Sequence, residues 1–277
     1  MKLLLIGFFV AFSISINAQG WLSQGARSGA LANTGVTFSD VFAFHHNPGA
    51  LGFIEKGTAG ISYEARYMLK ELQTQSIAVA VPLPVGVISV GGQFYGHNAY
   101  RTQRVGVGYA LKLIDNISAG VQLNYIGMGF GDTYYGRKDG LSAELGALAK
   151  INNQVNIGFS VINLTRTKLA DYKDDRLATL LRLGASYQVM EQLSIMAEIE
   201  QEIAFKTRFR FGIEYQPIEL LYIRVGVQGA PMDLAFGFGL DFKVLKVDLS
   251  TQYNQKLGWT PAISLIVDFY DPKKTKD

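Results

Sequence analysis

Hydrophobic and polar residues alternate along most of the chain. From Gln192 to Ile203, Leu193, Ile195, Ala197, Ile199 and Ile203 share one parity; Ser194, Met196, Glu198, Glu200 and Glu202 share the other. From Lys206 to Gln216, Thr207, Phe209, Phe211, Ile213 and Tyr215 oppose Lys206, Arg208, Arg210, Gly212 and Glu214. A period of two is the mark of a strand with one apolar face. The pattern recurs over about fourteen segments, near 57–67, 74–82, 84–95, 101–113, 117–129, 139–151, 153–163, 177–189, 192–202, 206–216, 220–228, 234–243, 246–254 and 260–270. Most exceed the usual globular strand of about 5–6 residues and approach the ~9–11 that a tilted strand needs to cross a bilayer. An open sheet in lipid would leave its edges unpaired, so these strands must close. The pattern predicts an all-β fold: a 14-stranded antiparallel transmembrane β-barrel over residues 56–270, apolar face outward.

The connections support the same reading. Alternate ones are tight: Pro82-Leu83-Pro84, Ile114-Asp115-Asn116, Asn152-Asn153, Met190-Glu191, 216–219 and Val244-Leu245. The two longest, 129–138 and 164–176, fall in the other set. Short periplasmic turns opposite longer outer loops are expected of outer-membrane barrels. The first eighteen residues read as a signal peptide: Lys2, an apolar run from Leu3 to Ile16, and Ala18 at the cleavage site. The chain is therefore expected to be exported to the bacterial outer membrane, facing its lipid and lipopolysaccharide. Residues 271–277 form a charged tail.

Composition narrows the chemistry. Of 277 residues, 18% are charged and 30 are glycine, and there is no cysteine. Disorder and thiolate metal sites are excluded, and a net charge of +3 is too small to argue for nucleic acid. No nucleophile elbow, phosphate loop or zinc-protease motif occurs. His45 and His46 are adjacent, and neighbours in an extended segment point apart. The chain is read as non-enzymatic, with no catalytic, cofactor-binding or metal site.

Two constellations stand out. Glu198, Glu200 and Glu202 share inward parity with Lys206, Arg208 and Arg210. A turn at 203–205 would place Glu202 opposite Lys206, Glu200 opposite Arg208 and Glu198 opposite Arg210. That is either a structural charge ladder or an ion-selective constriction. Inward glycines (Gly106, Gly108, Gly146, Gly158, Gly184, Gly212, Gly226, Gly237 and Gly239) leave room for something inside, though glycine also relieves strand curvature.

Residues 19–55 precede the first strand. They contain Gly25-Ala26-Arg27-Ser28-Gly29-Ala30 and then Asp40-Val41-Phe42-Ala43-Phe44-His45-His46-Asn47-Pro48-Gly49-Ala50-Leu51. This resembles the opening of FadL-type outer-membrane proteins, in which such a segment enters a fourteen-stranded barrel as a hatch. Gly49, inserted between Pro48 and Ala50, is a one-residue departure. The resemblance implies a hatch over 19–55 with Asp40, Asn47, Pro48, Ala50 and Leu51 as its motif. An ordinary turn before a strand is the alternative.

The closing segment, with Phe238-Gly239-Leu240, Val247-Asp248-Leu249, Leu257-Gly258 and Ile263-Ser264-Leu265, is similar to the Bacteroidota PorV and PorQ proteins. That similarity implies an accessory of type IX protein secretion with protein partners. The alternative is a FadL-like channel taking up hydrophobic small molecules. The outer loops are short and 164–176 is polar, which favours the accessory reading.

Overall fold

A computed structural model describes residues 23–131, 136–170, 175–202, 206–229 and 232–271. The expected signal peptide, the turn at 203–205 and nearly all of the charged tail lie outside these residues. Fourteen strands close into one antiparallel barrel. They are β1 (Gly57–Ala65), β2 (Gln73–Pro82), β3 (Val87–His97), β4 (Tyr100–Ile114), β5 (Ile117–Phe130), β6 (Arg137–Lys150), β7 (Val155–Ile162), β8 (Leu180–Met190), β9 (Leu193–Glu202), β10 (Arg208–Ile218), β11 (Leu221–Gln228), β12 (Asp233–Asp241), β13 (Leu245–Asn254) and β14 (Gly258–Tyr270). Each strand pairs with its sequence neighbour, and β1 closes on β14 with Ile61 opposite Leu265. The alternation in the sequence is the cause: one parity sees lipid and the other the interior.

The outward face carries exposed Val105, Val107, Val121, Leu123, Phe209, Phe211, Ile213 and Phe238. A closed barrel with this apolar outer face is the form of an outer-membrane protein. Among the described residues no helix is long and apolar enough to cross a membrane.

Every connection on the rim where β1 begins and β14 ends is short: 83–86, 115–116, 151–154, 191–192, 219–220 and 242–244. The longest connection, 163–179, is on the opposite rim, which is therefore taken as the outer one. That rim also has tight links at 98–99 and 255–257, so the expected asymmetry is present but weaker than the sequence suggested.

The interior is not an open polar lumen. Residues 23–54 are almost wholly buried, folded as a short helix (Ala26–Ala30) and two 3-10 turns (Val41–His45 and Pro48–Phe53). Towards the periplasmic rim, Val41, Phe42, Phe44, Leu51 and Ile54 form an apolar core with inward-facing Ala78, Ala80, Ala110, Leu148 and Ile266. Inward glycines supply the space. A methyl group at Gly146 would lie 2.0 Å from Asn47 Oδ1, and one at Gly226 would lie 2.5 Å from Ala32 N. Gly158, Gly184, Gly212 and Gly237 also abut the N-terminal segment, whereas Gly106, Gly108 and Gly239 make room for wall side chains.

Candidate functional site

The N-terminal segment meets the wall through polar groups placed by strand parity. Asp40 caps the first 3-10 turn, its Oδ1 accepting from Phe42 N at 2.9 Å. Asn47 caps the second, with Oδ1 accepting from Gly49 N at 3.1 Å. Its Nδ2 donates to Val36 O at 2.7 Å and to Ala147 O of β6 at 2.9 Å, so one side chain ties two parts of the segment to the wall. Pro48 occupies the first position of its turn, where a missing N–H costs nothing. Ala50 and Leu51 are buried in the apolar core.

Two of the expected charge pairs are in register: Glu198 is opposite Arg210 and Glu200 opposite Arg208. Arg210 Nη1 donates to Glu198 at 3.0 Å, and Arg208 Nη1 donates to Glu200 at 3.2 Å. Glu202 is half-buried and Lys206 exposed, and the paired register ends at Glu200 and Arg208. The ladder is really a lattice. Arg210 Nη2 also reaches Glu200 at 2.8 Å, and Arg182 of β8 donates to Glu200 at 2.8 Å.

Glu198 accepts from the backbone N–H groups of Gly35 and Val36 at 2.8 and 3.0 Å, and Arg210 donates to Asn33 O at 3.2 Å. Glu198, Arg182 and Arg210 are all buried. The N-terminal segment thus packs directly on the charge ladder.

Two further ionic clusters were not singled out from sequence. In one, the N-terminal Arg27 forks onto Glu214 of β10, and Arg224 bridges Glu214 and Asp248 at 2.6 and 2.5 Å. In the other, Arg104 meets Glu144 at 3.1 Å, beside Asn124, and donates to Phe44 O at 3.4 Å. Inward parity marks all these wall residues. Nothing in the pattern of residues 19–55 marks Arg27, because that segment has no period.

His46 Nε2 donates to Gln24 O at 2.7 Å, and its Nδ1 faces Gly35 so closely that a methyl group there would lie 2.0 Å away. Burial, reinforced by Arg182, lowers the His46 pKa to about 4. Burial and then Arg104 hold His45 well below the usual histidine range. Among the described residues no group of three histidines or carboxylates is placed to hold a metal.

Near the outer rim the interior changes character. Inward-facing Ile126 and Met128 of β5, Ile162 of β7 and Leu180 of β8 cluster with Leu177 from the long outer connection and with Tyr100. Asn163, at a positive φ of 56°, donates to Leu177 O at 2.9 Å, and Thr179 Oγ1 donates to Asn163 O at 3.0 Å. These bonds hold Leu177 in the cluster. The apolar cluster lies on strands whose other inward residues are mainly polar, so periodicity alone did not distinguish it.

No protein-family model matches the chain, and none of the curated proteins matches it. Solved structures match in fold. The toluene transporter TbuX of Ralstonia pickettii is 14% identical over 90% of this chain and 99% of its own, with a TM-score of 0.71. The toluene transporter TodX of Pseudomonas putida is 12% identical over 90% and 98%, with a TM-score of 0.63. A FadL homologue of Pseudomonas aeruginosa is 14% identical over 89% and 98%, with a TM-score of 0.65. The chain shares the barrel fold of these FadL-type proteins. The finer resemblance to the PorV and PorQ branch gains no support from them.

Proposed function

We propose that this protein is a FadL-like outer-membrane conduit for small hydrophobic molecules, with residues 23–54 as its hatch. The observation that carries the reading is the buried apolar cluster of Ile126, Met128, Ile162 and Leu180 near the outer rim, closed by Leu177. Displacing Leu177 would open an apolar surface from which water gains nothing, whereas an apolar solute leaving water does. The fold supports the same assignment, since its structural neighbours include toluene transporters. This reverses the order favoured by the short polar outer loops, because the apolar surface lies inside the mouth and needs no long outer insertion. No catalytic role is assigned.

The test is uptake of radiolabelled toluene by cells whose outer membrane carries this barrel as the added protein. Saturable uptake above empty-membrane cells is expected, and Leu177→Asp should abolish the gain while leaving the barrel folded. Uptake equal to the empty control overturns the reading.

A second reading, a protein-binding accessory of type IX secretion, rests on the end-segment resemblance and on the interior ion lattice. An interior latched by Glu198, Arg210, Arg27 and Glu214 suits a barrel whose work is done by its surfaces. Crosslinking of surface residues to secretion components in intact cells would support it.

A further inference from the structure

One outward row of the first six strands runs across Ile61, Ile77, Gly92, Val105, Tyr125 and Leu141. The next row towards the outer rim is mixed, with exposed Tyr63 and Phe94 beside Gln75, Gln103, Gly127 and Asp139, and Arg101, Gly129 and Arg137 lie in the row above. Gln75, Phe94, Gln103, Arg101 and Arg137 line a depression of about 560 Å³ with Gly127 and Gly129. The glycines form its floor. Nothing lies within 4 Å of where a side chain at Gly129 would begin, and one at Gly127 would run into Gln103 and Asp139. Arg101 and Arg137 stand exposed at the lip. Arg101 is set by Asn98 at 2.5 Å, and Arg137 by Asp139 at 2.8 Å and by the Tyr125 hydroxyl.

We infer that this depression seats the headgroup of a phosphorylated glycolipid of the outer leaflet. Four observations converge. Its height, where arginine and glutamine join the outward apolar residues, is that of the lipid headgroups. Its polar lining offers two guanidinium groups and the three amides of Gln73, Gln75 and Gln103, which suit phosphate oxygens and sugar hydroxyls respectively. Asp139, the acid beside it, is already engaged by Arg137 and Tyr125, so the local balance stays positive. Phe94 belongs to the lining, and Val105 and Tyr125 lie in the next row towards the apolar band, where acyl chains from a seated headgroup would descend. A soluble anion would satisfy the arginines but leave that apolar margin unused. The inference needs only the outer-membrane location and is independent of what the interior conducts.

The test uses the full mature barrel, purified from outer membranes and studied by native mass spectrometry. The probes are a bisphosphorylated lipid A and its dephosphorylated counterpart. Preferential retention of the phosphorylated lipid is expected. The double variant Arg101→Glu, Arg137→Glu should lower that retention by about thirtyfold, the scale of losing two basic contacts at an acidic lipid surface. Gly129→Leu, which fills the open floor and leaves both arginines in place, should lower retention of the same lipid, and resistance of the folded band to detergent verifies each variant. Equal retention of the two lipids, or unchanged retention in both variants, overturns the proposal.

Discussion

Arg27 in the N-terminal segment and Glu214 on β10 form a two-pronged pair, Nε to Oε2 at 3.0 Å and Nη2 to Oε1 at 2.8 Å. Planar guanidinium and carboxylate groups match in this geometry, and the bonds are charge-assisted. Glu214 keeps Arg224 as a second partner, so Arg27→Ala does not strand a buried carboxylate. The expected loss is about 1.5–3 kcal/mol, the scale of hydrogen bonds to a charged group. It should appear as faster protease cleavage within 23–54, while the detergent resistance of the barrel persists. Arg27→Lys should recover only part of the protection, because an ammonium cannot make the fork.

Arg210→Ala has the opposite consequence. It leaves Glu198 and Glu200 buried with fewer partners, and breaking a buried pair costs about 3–5 kcal/mol. Phe211, the next residue, faces lipid, where an arginine costs about 2–4 kcal/mol near the midplane. Urea unfolding of barrels reconstituted in vesicles should therefore rank Arg210→Ala as at least as damaging as Phe211→Arg. A water-filled lumen, able to solvate Glu198, would give the reverse order. A much milder Arg210→Ala would mean the N-terminal segment is absent from the interior in the membrane.

Gly146→Val tests the close approach of Asn47. The new side chain collides with Asn47 Oδ1 and Gly49 N, and overpacking of this kind costs about 1–3 kcal/mol. The strand itself tolerates valine well. Single-channel conductance in planar bilayers should rise as the segment is displaced, with Asn47→Ala giving a smaller rise. Unchanged conductance in both would return Asn47 and Pro48 to the role of an ordinary turn.

Acid should loosen the same segment. The folded pKa of His46, about 4, lies below its unfolded value of 6.5, so the unfolded chain binds more protons between those values. The stability contributed by neutral His46 is fully present above pH 6.5 and is lost as the pH falls toward 4. His45, lowered by burial and by Arg104, acts in the same direction. Protease protection of residues 23–54 should be flat from pH 8 to about 6.5 and then fall. His46→Gln, which retains a donor for Gln24 O, should flatten part of that decline.

The barrel was legible because it rests on parity. Phe209, Phe211 and Ile213 repeat every second residue, and tight turns such as 191–192 keep consecutive strands in phase. Wall charges such as Arg104, Glu144 and Arg224 were readable as inward by the same rule. Their partners were not, because parity gives a face and not a depth. The course of residues 23–54 was hidden for a different reason: its turns are fixed by capping side chains and by collision with the wall, neither of which has a period. Asn47 could be read as a turn former, but its bond to Ala147 O, a hundred residues away, could not. The apolar mouth was missed because Ile126 and Met128 look like any other strand residues until Leu177 is placed above them.

The pairing of β1 with β14 is the one ladder joining the two ends of the barrel sequence. The N-terminal segment touches both sides of it from within: Val41 and Phe42 pack on Gly60 of β1, and Ala26 N donates to Ser264 of β14 at 3.1 Å. The stretch that leads directly into the first strand therefore also braces the last. Ring closure and seating of the segment become one assembly event, in which neither strand end is fully satisfied alone. A chain stripped of residues 23–54 would lose more than its filling: the joint that closes the ring would be left to two strands holding each other unaided.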